Sequence, residues 1–373
     1  MKPPTIAYLT DIYFESGALN VLPNLLHNSS VKRPLVVTDK GLTSLGFSTR
    51  LGISNVPVFD EIETNPTETS VLAGLATYRE NGCDGLVAMG GGSSIDCAKC
   101  IGLLVHHPEP LADYAFLNGG LPRITDNKPP LIAIPTTAGT GSEVGRAALI
   151  TMNSGRKMAF LSPKLIPNSV ICDPTLTLEL PKALTAGTGM DAIAHCVETF
   201  CSPKFNPVAD AIALDGLHRA YVNIREAVHN GSRLDVRTEM MMAALEGGLT
   251  FQKGLGFVHS LSHPLGGLTG KRLHHGTLNA IFLPHVLCFN MEACPDKLDK
   301  MARALGVTTR MQLPDTFDTL NAEIGIPSRL RDLNVTMDEL DGMAELALQD
   351  HCSLTNPCKI TSDACRRLYQ VAF

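Results

Sequence analysis

Histidines at helical spacing are the strongest indication of chemistry in this sequence. An aspartate–histidine pair and a histidine–histidine pair are each separated by four residues, which puts both members of a pair on one face of a helix. A His-His-Gly segment follows the second pair. Carboxylates and imidazoles are ligands for divalent metals, and this set suits Zn(II) and Fe(II) equally well. A lone histidine is usually an ordinary core or surface residue, whereas this combination favours a metal site. The residues concerned are Asp191, His195, His259, His263, His274 and His275.

A run of three glycines predicts a phosphate-binding turn. Residues 90–96 lie between an apolar strand-like run and a helical stretch. Glycines let the backbone approach an anion closely, and the N–H groups of the first helical turn then point towards it. The spacing is not the common G-x-G-x-x-G pattern, and a simple strand-to-helix turn is the alternative, although that rarely needs three successive glycines. We expect a dinucleotide cofactor here, with its pyrophosphate at this turn and with Gly91, Gly92, Ser93 and Asp96 as cofactor-binding residues.

A second turn, rich in hydroxyl groups, supports the same cofactor site. It follows another buried strand and contains Thr136, Thr137, Thr140 and Ser142. Ligands of open α/β sheets bind where strands end, although such a loop could also use its hydroxyls for local capping bonds. Asp39, at the end of an earlier strand, could accept hydrogen bonds from an adenosine ribose, which would favour NAD and repel the extra phosphate of NADP. An aspartate in that position is otherwise a turn residue.

The pattern of predicted secondary structure changes near residue 180. Before that point, short apolar runs at 34–39, 56–60, 85–89 and 131–135 alternate with helical stretches such as 67–81 and 93–105. This alternation predicts an α/β domain with a mostly parallel sheet, the dinucleotide-binding domain, over residues 1–180. After it, helical spacing dominates and predicts an all-α domain over residues 181–373, which carries the metal and the catalytic residues.

Composition narrows the classes of function. The chain has 373 residues, of which 44% are hydrophobic and 18% charged, and its formal net charge is −6. These values are typical of a globular enzyme and argue against a disordered chain. The mild acidity makes nucleic acid and anionic membranes poor partners. Since no apolar run suits a signal peptide or a membrane span, we expect a cytoplasmic protein.

The cysteines carry less information. The chain has eleven, an odd number, and they are scattered. Cys97 and Cys100 form a C-x-x-C pair on a predicted helix, but no second pair completes a zinc site. We interpret them as reduced thiols packed in the core.

Combined in this order, the motifs resemble the iron-containing (group III) alcohol dehydrogenase family over essentially the whole chain. The resembling segments are residues 38–39, 65–67, 90–96, 135–144, 189–198, 254–266, 275–279 and 355–357. The resemblance implies an N-terminal Rossmann-like α/β domain and a helical C-terminal domain, an architecture of the dehydroquinate synthase type, with the active site in the cleft. It also implies a small-molecule alcohol or aldehyde as substrate and a homo-oligomer.

The resemblance assigns roles to individual residues. It implies that the metal ligands are Asp191, His195, His259 and His275, holding Fe(II) or alternatively Zn(II). His263 matches a further histidine near the nicotinamide, which could relay a proton or position the ring. Lys157 matches a lysine that contacts the cofactor ribose, and NAD is favoured over NADP. His274 matches nothing general in the family.

Within the family, the sequence is similar to the branch that interconverts 4-hydroxybutyrate and succinic semialdehyde. Further resembling segments are residues 123–126, 155–157, 205–207, 211–217 and 251–267. A carboxylate substrate in a dry cleft needs a cationic partner. Arg146 and Lys253 are the candidates, and either could instead be a surface charge or part of an ion pair between domains.

Three other functions stay open at this point. The first is a broad-specificity NAD(P)-dependent alcohol or diol dehydrogenase. The second is a sugar-phosphate cyclase of the same architecture, which would be expected to carry more basic phosphate-binding residues. The third is a non-catalytic metal or nucleotide binder, against which the complete ligand set argues.

Overall fold

The computed structural model describes Ile6 and residues 10–268, 270–271 and 273–373, with the backbone alone at Ser48. Within these ranges the chain forms two compact units. The sheet unit contains residues 10–137 and 142–177, and the helical unit contains residues 138–141 and 178–373. The helical unit therefore includes a four-residue segment taken from the middle of the other unit's chain.

Eight strands belong to the described part of the sheet unit. They are β1 (Asp11–Phe14), β2 (Pro34–Val37), β3 (Val58–Phe59), β4 (Gly85–Gly90), β5 (Leu131–Pro135), β6 (Ala147–Thr151), β7 (Lys157–Leu161) and β8 (Ser169–Cys172). Six of them form one sheet in the order β1-β8-β5-β4-β2-β3, and every neighbouring pair in it is parallel. β6 and β7 form a separate antiparallel pair. This is the α/β sheet that the sequence predicts.

Helices connect the strands of the parallel sheet, as βαβ units require. They are α1 (Leu22–Asn28), α2 (Lys40–Ser44), α3 (Glu68–Glu80) and α4 (Gly92–His106). Two of them begin at polar caps: the side chain of Asp39 accepts a hydrogen bond from the N–H of Leu42, and that of Thr67 accepts one from Ser70.

Both faces of the sheet are covered, which is clearest at β4. Leu86 and Ala88 pack into one hydrophobic core with Ile101 of α4, and Val87 and Met89 pack into another with Leu22 of α1. All six residues of β4 are buried. A strand enclosed on both faces must be apolar along its whole length, and that continuous pattern made β4 recognisable from the sequence.

Four strands lie outside the sequence-based prediction. β1 is at the sheet edge, and its four residues are half-buried or exposed. β6 alternates half-buried with buried residues, and β8 has only four residues. These strands, with β7, are defined by their partners in the sheets more than by their own composition.

Ten α-helices make up the described part of the helical unit. They are α5 (Lys182–Cys201), α6 (Pro207–His229), α7 (Leu234–Leu249), α8 (Phe257–Leu265), α9 (His275–Asn290), α10 (Pro295–Ala304), α11 (Leu313–Glu323), α12 (Met337–Leu340), α13 (Met343–Gln349) and α14 (Ser362–Ala372). α5 is the central helix: its residues from Thr185 to Cys201 are all buried, and it packs against α6, α7 and α9. The helical second half is as predicted.

The described helices include none that is both long and apolar enough to cross a membrane. All eleven cysteines are free thiols. Cys97 and Cys100 are fully buried in α4, which confirms their interpretation as core thiols.

Candidate functional site

Three helices of the helical unit bring the predicted metal ligands together. Asp191 and His195 lie one turn apart on α5, His259 lies on α8, and His275 begins α9. Oδ1 of Asp191 is 3.4 Å from Nε2 of His195, 3.6 Å from Nε2 of His259 and 3.9 Å from Nε2 of His275. The ring centroid of His259 lies 4.8 Å from that of His195 and 5.1 Å from that of His275. All four side chains thus converge on one carboxylate oxygen.

Two glycines allow the helices that carry these residues to approach closely. A Cβ atom at Gly276, next to His275, would lie 2.0 Å from the backbone oxygen of Gly187 on α5 and 3.0 Å from Cβ of Asp191. A Cβ at Gly187 would in turn lie 2.5 Å from the ring of His274. Because no other residue fits at this crossing, Gly187 and Gly276 set the distance between Asp191 and His275.

Glu198 holds His259 in place from the side opposite Asp191. Its Oε2 is 2.5 Å from Nδ1 of His259, and its Oε1 accepts a hydrogen bond of 2.6 Å from the N–H of Val258. A carboxylate that binds one imidazole nitrogen in this way leaves the other nitrogen for a metal. Glu198 is in the segment that the sequence singled out, but its position one helical turn from His195 did not identify this contact.

The protonation states of the cluster depend on burial and on its carboxylates. Burial lowers the pKa of His195 to about 4, so that this ring is neutral near pH 7. For His259, burial opposes protonation, but Glu198 and Asp191 outweigh it and raise the pKa to about 9. Burial likewise opposes ionisation of Asp191, yet the imidazoles, His195 foremost, hold its pKa well below the usual range. Without a metal ion, the protonated ring of His259 is therefore the cation that balances these buried carboxylates, and a bound ion would take over that role by displacing the proton on Nε2.

Asn279, one turn after His275 on α9, tests whether the donor set fits a metal. Its Nδ2 lies 2.7 Å from Oδ1 of Asp191 and 3.1 Å from Nε2 of both His259 and His275. An amide nitrogen has two hydrogens, so that it donates to at most two of these atoms at once. Its own Oδ1 is buried and has no hydrogen-bond partner among the residues that the structure describes. Oδ1 of Asp191 and the Nε2 atoms of His259 and His275 thus converge on one point, as the ligands of a divalent cation do.

The other two histidines of the motif lie apart from this convergence point. Nδ1 of His263 is 2.9 Å from Oδ2 of Asp350, and its ring stacks on that of His275 at 5.2 Å between centroids. His274 caps α9, since its Nδ1 accepts a hydrogen bond from the N–H of Thr277. Sequence reasoning missed Asp350, because 87 residues separate it from His263 and no local spacing connects them.

The glycine-rich turn has the geometry of an anion site in the sheet unit. Gly90 ends β4 with a φ of +152°, and a Cβ there would lie 2.4 Å from Oγ of Ser94. Gly91 precedes the first turn of α4 and caps it without a side chain. Residues 91–93 are half-buried, and Thr137 lies 3.4 Å from the Cβ position of Gly91. A helix amino end that is open in this way binds phosphate groups.

The side chains of two predicted cofactor-binding residues are hydrogen-bonded to other groups of the protein. The hydroxyl of Ser142 donates to Oδ1 of Asp96 at 2.5 Å, and Oδ2 of Asp96 accepts from the N–H of Leu149. Nζ of Lys99 donates to the carbonyls of Ser142, Gly145 and Ala147 at 2.7–2.8 Å. The side chains of Asp96 and Ser142 thus belong to an internal hydrogen-bond network, and their assignment as cofactor-binding residues stays a prediction. No motif in the sequence indicated this role of Lys99.

The remaining cofactor candidates are placed as follows. Thr136, whose N–H donates to the carbonyl of Gly90, and Thr137 follow β5 in the sheet unit. Asp39 is half-buried after β2. Nζ of Lys157 donates to Oδ1 of Asn65 at 2.8 Å. Thr140 belongs to the four-residue segment of the helical unit.

The two candidate substrate cations differ in their surroundings. Lys253 is fully buried and its ammonium contacts Asp210 and the carbonyl of Phe200. Its charge already has a carboxylate partner, so that the prediction of Lys253 as a substrate residue is corrected. Arg146 is half-buried, and burial alone lowers its pKa. Among the residues that the structure describes, its guanidinium has no carboxylate partner.

Comparisons with known proteins identify the family of the chain. The model of the family described as iron-containing alcohol dehydrogenase matches residues 10–174, and that of the Fe-containing alcohol dehydrogenase family, C-terminal, matches residues 185–373. A 4-hydroxybutyrate dehydrogenase from Cupriavidus necator is 48% identical, over 98% of each chain. A 1,3-propanediol dehydrogenase from Klebsiella pneumoniae is 38% identical, over 97% of this chain and 96% of its own.

Solved structures show the same fold. The crystal structure of a 1,3-propanediol oxidoreductase has a TM-score of 0.91 at 37% identity and covers 99% of this chain and 100% of its own. A sulfoacetaldehyde reductase from Bifidobacterium kashiwanohense, in complex with NAD+, has a TM-score of 0.90 at 28% identity and covers 100% of this chain and 99% of its own. The chain belongs to the iron-containing alcohol dehydrogenase family and is an NAD-dependent alcohol oxidoreductase.

Proposed function

We propose that this protein oxidises 4-hydroxybutyrate to succinic semialdehyde, with transfer of a hydride to NAD, and catalyses the reverse reaction. The observation that carries the proposal is the convergence of His195, His259 and His275 on Asp191. The similarity to the 4-hydroxybutyrate dehydrogenase of Cupriavidus necator supports the choice of substrate.

We propose that residues 181–373 form the metal-binding and catalytic domain. Asp191, His195, His259 and His275 would hold Fe(II), or alternatively Zn(II). The bound ion would supply Lewis-acid chemistry, lowering the pKa of the substrate hydroxyl or polarising the aldehyde carbonyl. Glu198 orients His259 towards it through the 2.5 Å contact with Nδ1, and Gly187 with Gly276 keeps α5 and α9 close enough for both to contribute ligands.

We propose that residues 1–180 form the dinucleotide-binding domain. The amino end of α4, with Gly91, Gly92 and Ser93, would bind the pyrophosphate through backbone N–H groups. Thr136, Thr137 and Thr140 would contribute hydroxyls, and Lys157 would contact a ribose. Asp39 would accept hydrogen bonds from the adenosine ribose and select NAD over NADP by repelling an additional phosphate.

His263 is the proposed catalytic residue. Because its Nδ1 faces Oδ2 of Asp350 at 2.9 Å, the carboxylate fixes the ring orientation and favours the tautomer with a proton on Nδ1. Nε2 then keeps a lone pair. That nitrogen either accepts the proton released from the substrate hydroxyl or positions the nicotinamide, and both roles require the orientation that Asp350 provides.

Arg146 would bind the substrate carboxylate. Its guanidinium is partly desolvated and lacks a carboxylate partner among the described residues, so that an anionic ligand would complete its environment. The carbonyls on either side of it, those of Gly145 and Ala147, are both held by Lys99. The backbone that carries Arg146 is therefore fixed in the absence of substrate.

A substrate panel tests the proposal. Metal-depleted protein is reloaded with Fe(II) or Zn(II) and assayed for NADH or NADPH formation with 4-hydroxybutyrate and with 1,3-propanediol. We expect activity that a chelator abolishes, a preference for NAD, and a kcat/KM that is at least tenfold higher with 4-hydroxybutyrate. Equal or better turnover of 1,3-propanediol would replace the proposal by a broad-specificity diol dehydrogenase.

A further inference from the structure

We infer that a second metal site lies beside the first, formed by His263, Asp350, His351 and Cys352, and that zinc bound there inhibits the enzyme. Each of these residues offers one ligand atom, and the four atoms all lie within 4.8 Å of one another. None of the four belongs to the ligand set at Asp191. The site would take a borderline-soft divalent cation with Zn(II) as the best fit.

The four side chains are already in mutual contact. Oδ2 of Asp350 is 2.9 Å from Nδ1 of His263, and its Oδ1 is 3.5 Å from Nδ1 of His351. Sγ of Cys352 is 3.5 Å from Nε2 of His351. Ligands at usual zinc distances are roughly 3.4–3.7 Å apart in a tetrahedron. Small side-chain adjustments, without any backbone rearrangement, would therefore bring the four atoms around one ion.

The charges of these donors also suit a buried divalent ion. One carboxylate, one thiolate and two neutral imidazoles give a complex with Zn(II) that is neutral overall, which lowers the penalty for burying it. Burial raises the pKa of Cys352, so that the free protein carries a thiol there. Zinc would displace that proton to solvent as the zinc–sulfur bond forms.

The sulfur ligand distinguishes this site from the first one. Asp191, His195, His259 and His275 provide only nitrogen and oxygen donors, whereas Cys352 adds the ligand that zinc prefers in structural sites. Occupation would replace the hydrogen bond between Nδ1 of His263 and Asp350 by bonds of both groups to the ion, and the proton of the neutral ring would then lie on Nε2, which loses its lone pair. The inhibitory effect rests on the catalytic role of His263 under the proposed function; metal binding does not rest on it.

Cobalt(II) provides a direct probe, because cobalt–thiolate bonds absorb in the near ultraviolet and cobalt–imidazole bonds do not. Metal-depleted full-length protein is titrated with Co(II). We expect two equivalents to bind and a near-ultraviolet sulfur band to accompany one of them. Cys352→Ser should remove the band. His351→Phe, which keeps an aromatic ring against His263, should remove it as well.

Two control variants keep the result interpretable. Cys100→Ser replaces a buried thiol of the other unit and should leave the band unchanged. His195→Ala removes a ligand of the first site and should leave the sulfur band while lowering the total bound cobalt. Absence of the band in the wild type, or its persistence in Cys352→Ser, would overturn the second site.

Zinc inhibition tests the functional consequence. Enzyme whose first site is loaded with Fe(II) is assayed with added Zn(II). We expect His351→Phe to keep its uninhibited activity within about twofold and to require at least tenfold more zinc for the same inhibition. Equal inhibition of both proteins would assign the effect to metal exchange at the first site and overturn the inhibitory role. A sulfur band without any inhibition would support the second site while contradicting the proposed catalytic role of His263.

Discussion

Replacing Arg146 should change the substrate preference of the enzyme more than its general activity. Arg146→Ala removes a half-buried guanidinium without a carboxylate partner among the described residues. A hydrogen bond that involves a charged group contributes about 1.5–3 kcal/mol, and 1.4 kcal/mol corresponds to a factor of about ten. Since solvent still reaches part of the side chain, we take the lower part of that range and expect a loss of about 10–50-fold in kcat/KM for 4-hydroxybutyrate.

The assay compares two substrates that differ only at the far end. NADH formation is followed with 4-hydroxybutyrate and with 1,4-butanediol, in which a neutral hydroxymethyl group replaces the carboxylate. We expect the loss with 1,4-butanediol to stay below about threefold. Arg146→Lys should restore part of the activity towards the carboxylate, because it keeps the positive charge but loses the planar, two-pronged donor geometry.

A matched control is Arg123→Ala, which removes an exposed arginine of the same unit that pairs with Asp113 at 3.0 Å. It should leave both substrates almost unaffected. If Arg146→Ala lowers kcat/KM for both substrates equally, Arg146 supports the fold or the cofactor, and the reasoning about the substrate carboxylate is refuted.

Three further predictions concern the two units separately. Glu198→Gln should weaken metal binding by about 10–100-fold, as measured by competition with a chelator, because it removes the carboxylate that orients His259. Gly276→Ala should lower both metal affinity and melting temperature, since its Cβ would push α9 away from Gly187; a wild-type affinity would contradict this packing argument. Burial raises the pKa of Glu143 to about 7, above the usual 4.5, so that its contribution to stability is full below pH 4.5 and is lost as the pH rises through 7. The free energy of unfolding of Glu143→Gln, measured in urea and compared with that of the wild type, should therefore rise by about 2–3 kcal/mol from pH 5 to pH 8. A difference that does not depend on pH would exclude this titration.

The fold was predictable where one strand or helix carries its own signal. β4 and β5 are apolar throughout because both faces are covered, and α5 combines small and apolar residues because it is enclosed by other helices. β1 and β6 have no such pattern, since one side of each is partly exposed. Their strand conformation depends on pairing with distant segments, which local composition does not report.

The candidate site was likewise predictable only where residues are close in the sequence. Asp191 and His195 are one turn apart, and their spacing alone indicates a shared face of α5. The contact between His263 and Asp350 joins residues 87 positions apart and has no counterpart in local spacing. Asp96 and Ser142 lie in motifs of the right type, yet the sequence could not show that their side chains point into the core, because that depends on a buried lysine as their neighbour.

The buried lysine, Lys99, connects the packing of the two core cysteines to the proposed substrate specificity of the enzyme. Lys99 lies between Cys97 and Cys100 on α4, and its ammonium holds the carbonyls of Gly145 and Ala147, the residues on either side of Arg146. A binding group on a backbone that is already fixed loses less conformational entropy when the ligand arrives. The apolar packing of α4, to which both thiols contribute, positions Lys99, and Lys99 positions the segment that presents Arg146. If Arg146 binds the substrate as proposed, substrate recognition depends on the core packing of α4, a helix to which no substrate-binding role is assigned.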